Sequence, residues 1–104
     1  MNTMKFNELS EKVLNWARDR DILINSSAIA QLTKTEEEVA ELREAIENND
    51  MDKMVDGYGD VLVTMIIGAE IAGFDLVDCL QVAYDEIKDR KGHLNEDGIF
   101  VKEN

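Results

Sequence analysis

The sequence predicts an all-α protein, and three observations predict it. Its 104 residues include no proline and only six glycines, so little in it interrupts a helix. Apolar residues recur at three- and four-residue spacing in four successive stretches. No run of β-branched residues alternates long enough to found a sheet. With 44% hydrophobic and 33% charged residues, the chain reads as one globular domain (residues 1–104) with a modest core.

Phe6, Leu9, Val13, Trp16 and Ala17 place the first amphipathic helix over about residues 4–19. Trp16 is expected in the core, with stacking on a substrate base as the alternative. Asp21 to Asn25 reads as a short connection, after which Ser26 or Ser27 caps a second helix. That helix runs to about Asn48, with Ala28, Leu32, Thr35, Val39, Leu42 and Ile46 as its buried stripe. One step to the side lies a polar stripe of Gln31, Lys34, Glu38 and Glu41, which puts carboxylates at the edge of a packed interface.

Asn48-Asn49-Asp50 is a turn, and a third helix starts near Asp50 or Asp52. From Val61 to Ala69 it is apolar nearly all round, which predicts burial on every side and therefore a second subunit. Asp56 and Asp60 lie at the mouth of that apolar run. An ionised carboxylate there needs a partner, because uncompensated burial costs several kcal/mol or drives protonation. Gly73 ends the third helix and Asp75 caps a fourth, which carries Leu76, Leu80, Ala83, Tyr84 and Ile87 and ends on Lys88, Arg90 and Lys91. Cys79 on this helix is expected in the core. Asp97-Gly98 signals a small hairpin or an extended arm.

Charge excludes whole classes of function. At −12, the chain is a poor partner for a nucleic-acid polymer or an anionic membrane surface. One cysteine excludes an internal disulfide framework, and no apolar run has the length of a membrane span, so a cytoplasmic location is expected. On a helix turning roughly 100° per residue, Glu37, Glu38 and Glu41 fan from one face. Like charges at this spacing oppose the helix, a cost that fits a hard cation or a merely wet face. With Asp56 and Asp60 from the next, antiparallel helix, the carboxylates can converge. All-oxygen ligation without histidine selects Mg2+, with Mn2+ possible, and suits hydrolysis of a phosphoanhydride. Asp52 to Val63 imitates a calcium loop but carries Met54 and Val63 where ligands are needed. No Ser-His or Cys-His nucleophile and no glycine-rich phosphate loop can be assembled.

The segment from Gln31 to Leu42, which holds Glu37-Glu38-Val39-Ala40-Glu41, followed by Gly59-Asp60-Val61-Leu62-Val63, resembles the MazG-type all-α nucleotide pyrophosphohydrolases. The ending, Ala83-Tyr84-Asp85-Glu86-Ile87-Lys88-Asp89-Arg90-Lys91-Gly92 with Gly98-Ile99-Phe100-Val101-Lys102, is similar to short, phage- or prophage-type members. The resemblance implies a four-helix protomer with a C-terminal hairpin or arm, assembled into a dimeric or tetrameric helical bundle. It implies Mg2+-dependent conversion of a nucleoside triphosphate to monophosphate and pyrophosphate. Glu38, Glu41 and Asp60 then correspond to metal-binding carboxylates, with Glu37 a further ligand or water-activating base. The family's second glutamate falls on Gly57, and Asp56, one residue earlier, is the substitute on nearly the same face. Lys34, Lys88, Arg90 and Lys91 are phosphate candidates, and Gln31 and Trp16 are base candidates. Two rival readings stand beside this one: a non-catalytic metal- and nucleotide-binding module, and a phosphoribosyl-ATP pyrophosphohydrolase.

Overall fold

The computed structural model describes residues 4–103. Five helices run in order: α1 (Phe6–Asp19), α2 (Ile22–Asn25), α3 (Ala28–Glu47), α4 (Met51–Ile71) and α5 (Leu76–Ile87). A two-stranded antiparallel hairpin follows, β1 (Gly92–Leu94) and β2 (Phe100–Lys102), with His93 opposite Val101. The four-helix expectation is corrected by α2, a single turn where a plain connection was expected. Asp21 adopts a left-handed conformation (φ 59°) that breaks the chain out of α1, and Asn25 and Ser26 then donate back to Asp21 and Ile22.

Local chemistry accounts for the boundaries. Ser27 caps α3 by accepting from the Ala30 N–H at 3.1 Å, Asp50 caps α4 through Lys53 at 3.2 Å, and Asp75 caps α5 through Val77 at 2.8 Å. The helix ends use one device twice. Asn49 (φ 54°) and Gly73 (φ 94°) are left-handed, and the next residue donates five back, Asp50 to the Ala45 carbonyl and Phe74 to that of Ala69.

The organising unit is the α3–α4 hairpin, and its register can be read directly. A Cβ placed on Gly68 would lie 3.3 Å from Gln31 Cβ, the Thr35 and Thr64 hydroxyls touch at 2.6 Å, and a Cβ on Gly57 would lie 3.0 Å from Leu42. The paired numbers in each contact add to 99, the mark of one antiparallel register held over three turns. The seam of α3 is therefore Gln31, Thr35, Glu38, Leu42 and Ala45, at heptad-like spacing.

This rotates α3 away from the expected stripe. Leu32, Val39 and Ile46 are exposed in the single chain, while Glu38, expected at the edge, is buried. The sequence stripe was right about the apolar face but wrong about which neighbour it meets. On α4, Met51, Val55, Tyr58, Leu62 and Met65 are exposed on the side adjoining those α3 residues, so Val61–Ala69 is not covered all round. The core lies on the opposite side, where Leu14 and Ala17 of α1 join Ile66 and Ile67 of α4. Trp16 is 45% exposed, not core, and Cys79 is exposed on α5, which has no buried residue.

Candidate functional site

Two clefts follow one another along the hairpin, and Asp60 lines both. The first, of about 400 Å3, lies between the α3–α4 turn and the middle of the hairpin. Glu41 and Glu44 from α3 face Asp56 and Asp60 from α4 there, with Asp50 at the turn and Lys53 the single cation of its wall. Helix geometry explains the grouping. Glu41 and Glu44 stand three apart and Asp56 and Asp60 four apart, so each pair shares the side of its helix turned to the same cleft.

The second cleft, of about 330 Å3, opens between α1, α2 and the hairpin. Trp16 and Ile22 form one wall, Val63 and Ile67 the apolar floor, and Gln31, Lys34, Glu38 and Asp60 the polar side. Gln31 is anchored by its amide, which donates to the Ser26 hydroxyl at 3.0 Å. Arg20 stacks over the Trp16 ring at 4.6 Å, on a bond from its guanidinium to the Trp16 carbonyl.

Glu38 is the one carboxylate of the set that packing removes from water, at 9% exposure. Its countercharge is Lys34, whose Nζ lies 3.4 Å from Glu38 and 3.4 Å from Glu37. Hydrogen bonding to Glu37, then to Glu38, raises the Lys34 ammonium above its ordinary value of 10.5, so it stays charged at any neutral pH. Glu37 itself is exposed on the rim and lines neither cleft.

The expected convergence on one spot is therefore divided. Asp60 is shared, Glu41 and Asp56 belong to the first cleft, and Glu38 belongs to the second. Among the described residues no group of three or more His, Cys, Asp or Glu is close enough to hold a metal ion. The donor type fits Mg2+ or Mn2+: carboxylate oxygens, no thiolate and no imidazole. The arrangement fits a cation held by one or two carboxylates and completed by waters and phosphate oxygens, which is how Mg2+ is commonly bound, rather than a closed protein cage.

Gln31 and Lys34 meet the acidic residues as their spacing on α3 predicts, whereas Trp16, expected in the core, lines the second cleft instead. Lys88, Arg90 and Lys91 do not reach them. They lie at and beyond the end of α5, Lys88 pairs with Asp85 at 3.7 Å, and none lines either cleft. Sequence reasoning passed over Glu44, Asp50, Lys53, Thr64 and Ile22. Glu44 continues the spacing from Glu41 and Thr64 that from Asp60, so both were within reach of the helix argument; Asp50 and Ile22 depend on how the turns fold.

The profile of the MazG nucleotide pyrophosphohydrolase domain matches residues 21–95, most of the chain and all of the hairpin that carries both clefts. No curated protein and no solved structure matches it.

Proposed function

The chain belongs to the MazG nucleotide pyrophosphohydrolase family, and from that premise we propose that it is a Mg2+-dependent hydrolase of (deoxy)nucleoside triphosphates, releasing monophosphate and pyrophosphate. The observation that carries this reading is Asp60, shared by a cleft walled with carboxylates and a cleft that combines an exposed tryptophan, an anchored amide and a lysine. In the reaction, water adds to the α-phosphorus, the bridging bond to the β-phosphate breaks, and pyrophosphate leaves.

Glu41, Asp56, Asp60 and Glu38 are the residues that would hold the cation. When bound, Mg2+ neutralises phosphate oxygens and lowers the pKa of the attacking water. Glu38, buried in the seam with Lys34 as its countercharge, is the group we assign to accept a proton from that water. Glu37 acts from the rim by keeping Lys34 charged, and Lys34 offers the polyphosphate a cation in a chain of net charge −12. Trp16 and Gln31 bound the base. A Mg2+-dependent pyrophosphate-release assay across NTPs and dNTPs tests the reading. Pyrophosphate is expected, removed by EDTA, and orthophosphate as first product overturns the reading. A panel including phosphoribosyl-ATP separates that relative.

Assembly into a dimer or tetramer is part of the same reading. The chain exposes 8328 Å2, whereas a compact monomer of 11.8 kDa exposes roughly 5,900 Å2. Its radius of gyration is 16.1 Å, against about 13 Å for a compact chain of this length. The excess of roughly 2,400 Å2 per chain is of the size obligate homodimers bury. The α3–α4 face of Leu32, Val39, Ile46, Val55, Tyr58 and Leu62 is the surface to be covered.

The alternative, a non-catalytic module that binds metal and nucleotide, is favoured by Gly57 standing where a carboxylate would complete the second acidic pair. It predicts binding heats with Mg2+ and nucleotide and no turnover.

A further inference from the structure

Thr35 and Thr64 are both 7% exposed and their hydroxyl oxygens lie 2.6 Å apart. Among the described residues theirs is the only side-chain hydrogen bond that joins two helices; the other side-chain pairs lie within five residues of each other. The Thr35 hydroxyl also lies 2.9 Å from the Gln31 carbonyl and that of Thr64 2.9 Å from the Val61 carbonyl. Two hydroxyl protons thus face three contacts, so one threonine donates to its partner and the other to a carbonyl of its own helix. Every arrangement ties the pair to the backbone of α3 or α4.

The pair sits one helical turn from the buried Glu38 on α3 and one turn from the exposed Asp60 on α4. Thr35 precedes Glu38 by three residues and Thr64 follows Asp60 by four, so each threonine shares a helix side with its carboxylate. Thr64 also lines the cleft that Glu38 and Asp60 share. We propose that Thr35 and Thr64 are positioning residues, whose hydrogen bond sets the longitudinal register of α3 against α4 and so presents Glu38 and Asp60 to one cation and its phosphate ligand. The proposal rests on the reading of these carboxylates as the metal site.

The physical reason is directionality. Apolar contacts along a seam are indifferent to small sliding, because burial depends on area. A hydroxyl–hydroxyl bond weakens steeply when it lengthens or bends. Gly57 and Gly68 let the two backbones approach, and the threonines convert that closeness into a defined offset. An offset of about 1 Å between catalytic groups is enough to cost two orders of magnitude in rate.

The test uses the full chain with Thr35→Val/Thr64→Val, which removes both hydroxyls at nearly constant shape, and Thr35→Ser/Thr64→Ser, which keeps them. Mg2+ is titrated by calorimetry without nucleotide, and kcat and KM are measured separately. The valine pair is expected to bind Mg2+ about tenfold more weakly, in the range seen when supporting groups of a metal site are removed, with kcat down at least as much and KM within twofold. The serine pair is expected within twofold of the parent. Ile66→Ala, a core change lining neither cleft, controls for general loosening and is expected to lower Tm while leaving Mg2+ affinity unchanged. If the valine pair does not fold, Thr64→Ala is measured in its place, with the same expected weakening.

Parent-like Mg2+ affinity and kcat in a folded variant lacking the bond overturn the proposal, as does equal weakening in Ile66→Ala. A parent chain that binds Mg2+ but releases no pyrophosphate defeats the catalytic reading alone, and the Mg2+ titrations still decide the threonines. A parent chain that binds no Mg2+ overturns both.

Discussion

Leu42 and Gly57 meet across the α3–α4 seam so closely that a Cβ on Gly57 would stand 3.0 Å from Leu42 Cδ1, 3.2 Å from its Cβ and 3.3 Å from its Cα. The last of these is backbone, so the leucine cannot relieve the contact by changing rotamer alone. Gly57 therefore sits hard against Leu42, and any side chain at this position requires α3 to give by a few tenths of an ångström. Gly57→Ala is expected to lower stability by about 1–3 kcal/mol, the usual cost of overpacking, despite its better helix propensity. Denaturant titration measures it. Gly57→Glu is expected to be worse and not to gain activity; a more active glutamate variant would refute the packing account.

Glu38→Gln and Asp60→Asn keep size and remove charge. Each is expected to reduce kcat by at least about a hundredfold while circular dichroism and Tm remain close to the parent. Glu37→Gln, on the rim, is expected to cost less than tenfold. A loss at Glu37 equal to that at Glu38 would move the proton acceptor to the rim.

Lys34 gives a pH prediction with a definite sign. Its folded-state value lies above the ordinary 10.5, so what the Glu37 and Glu38 contacts add to stability is fully present below 10.5 and is lost as pH rises through the folded value. No stability change from this group is expected between pH 6 and 9, and none from Lys34→Met relative to the parent across that window beyond a constant offset. The substitution is expected to raise KM for a nucleoside triphosphate about tenfold, read by steady-state kinetics.

Tyr58→Glu or Leu62→Glu puts a charge in the middle of the uncovered α3–α4 face. Light scattering is expected to show at least a dimer for the parent and a smaller species for either variant, with a lower Tm. A monomeric parent at micromolar concentration would contradict the area argument.

Trp16→Ala is expected to raise KM for nucleotides and to leave inhibition by pyrophosphate unchanged, because the ring lines the cleft away from the turn-side carboxylates. Inhibition constants distinguish the two.

How far the site could be read without coordinates differs from residue to residue. Glu41 with Glu44 and Asp56 with Asp60 follow from spacing alone, because residues three and four apart on a helix share a side whatever surrounds it. The three side-chain caps, Ser27, Asp50 and Asp75, and the turn at Asn49 are equally local, each settled by one short polar side chain or one left-handed residue. Lys88, Arg90 and Lys91 were phosphate candidates through the family resemblance, while their place in a last helical turn suits the helix dipole equally well, and nothing local tests where the end of α5 goes.

By itself, then, the sequence determined the helical class, the approximate extent of the four long helices, a hairpin or arm around Asp97-Gly98, the family and the pairing of carboxylates within each helix. All of these rest on interactions a few residues long. Only the tertiary structure decided that Glu38 lies in the seam while Leu32, Val39 and Ile46 face outward, that Asp60 serves two clefts, and that Trp16 walls one of them instead of filling the core. The reason is rotational. An amphipathic helix shows which side is apolar, but the angle at which it meets its neighbour is set by close contacts such as Leu42 on Gly57 and Thr35 on Thr64. Those contacts join residues fifteen and more positions apart that no helical period connects.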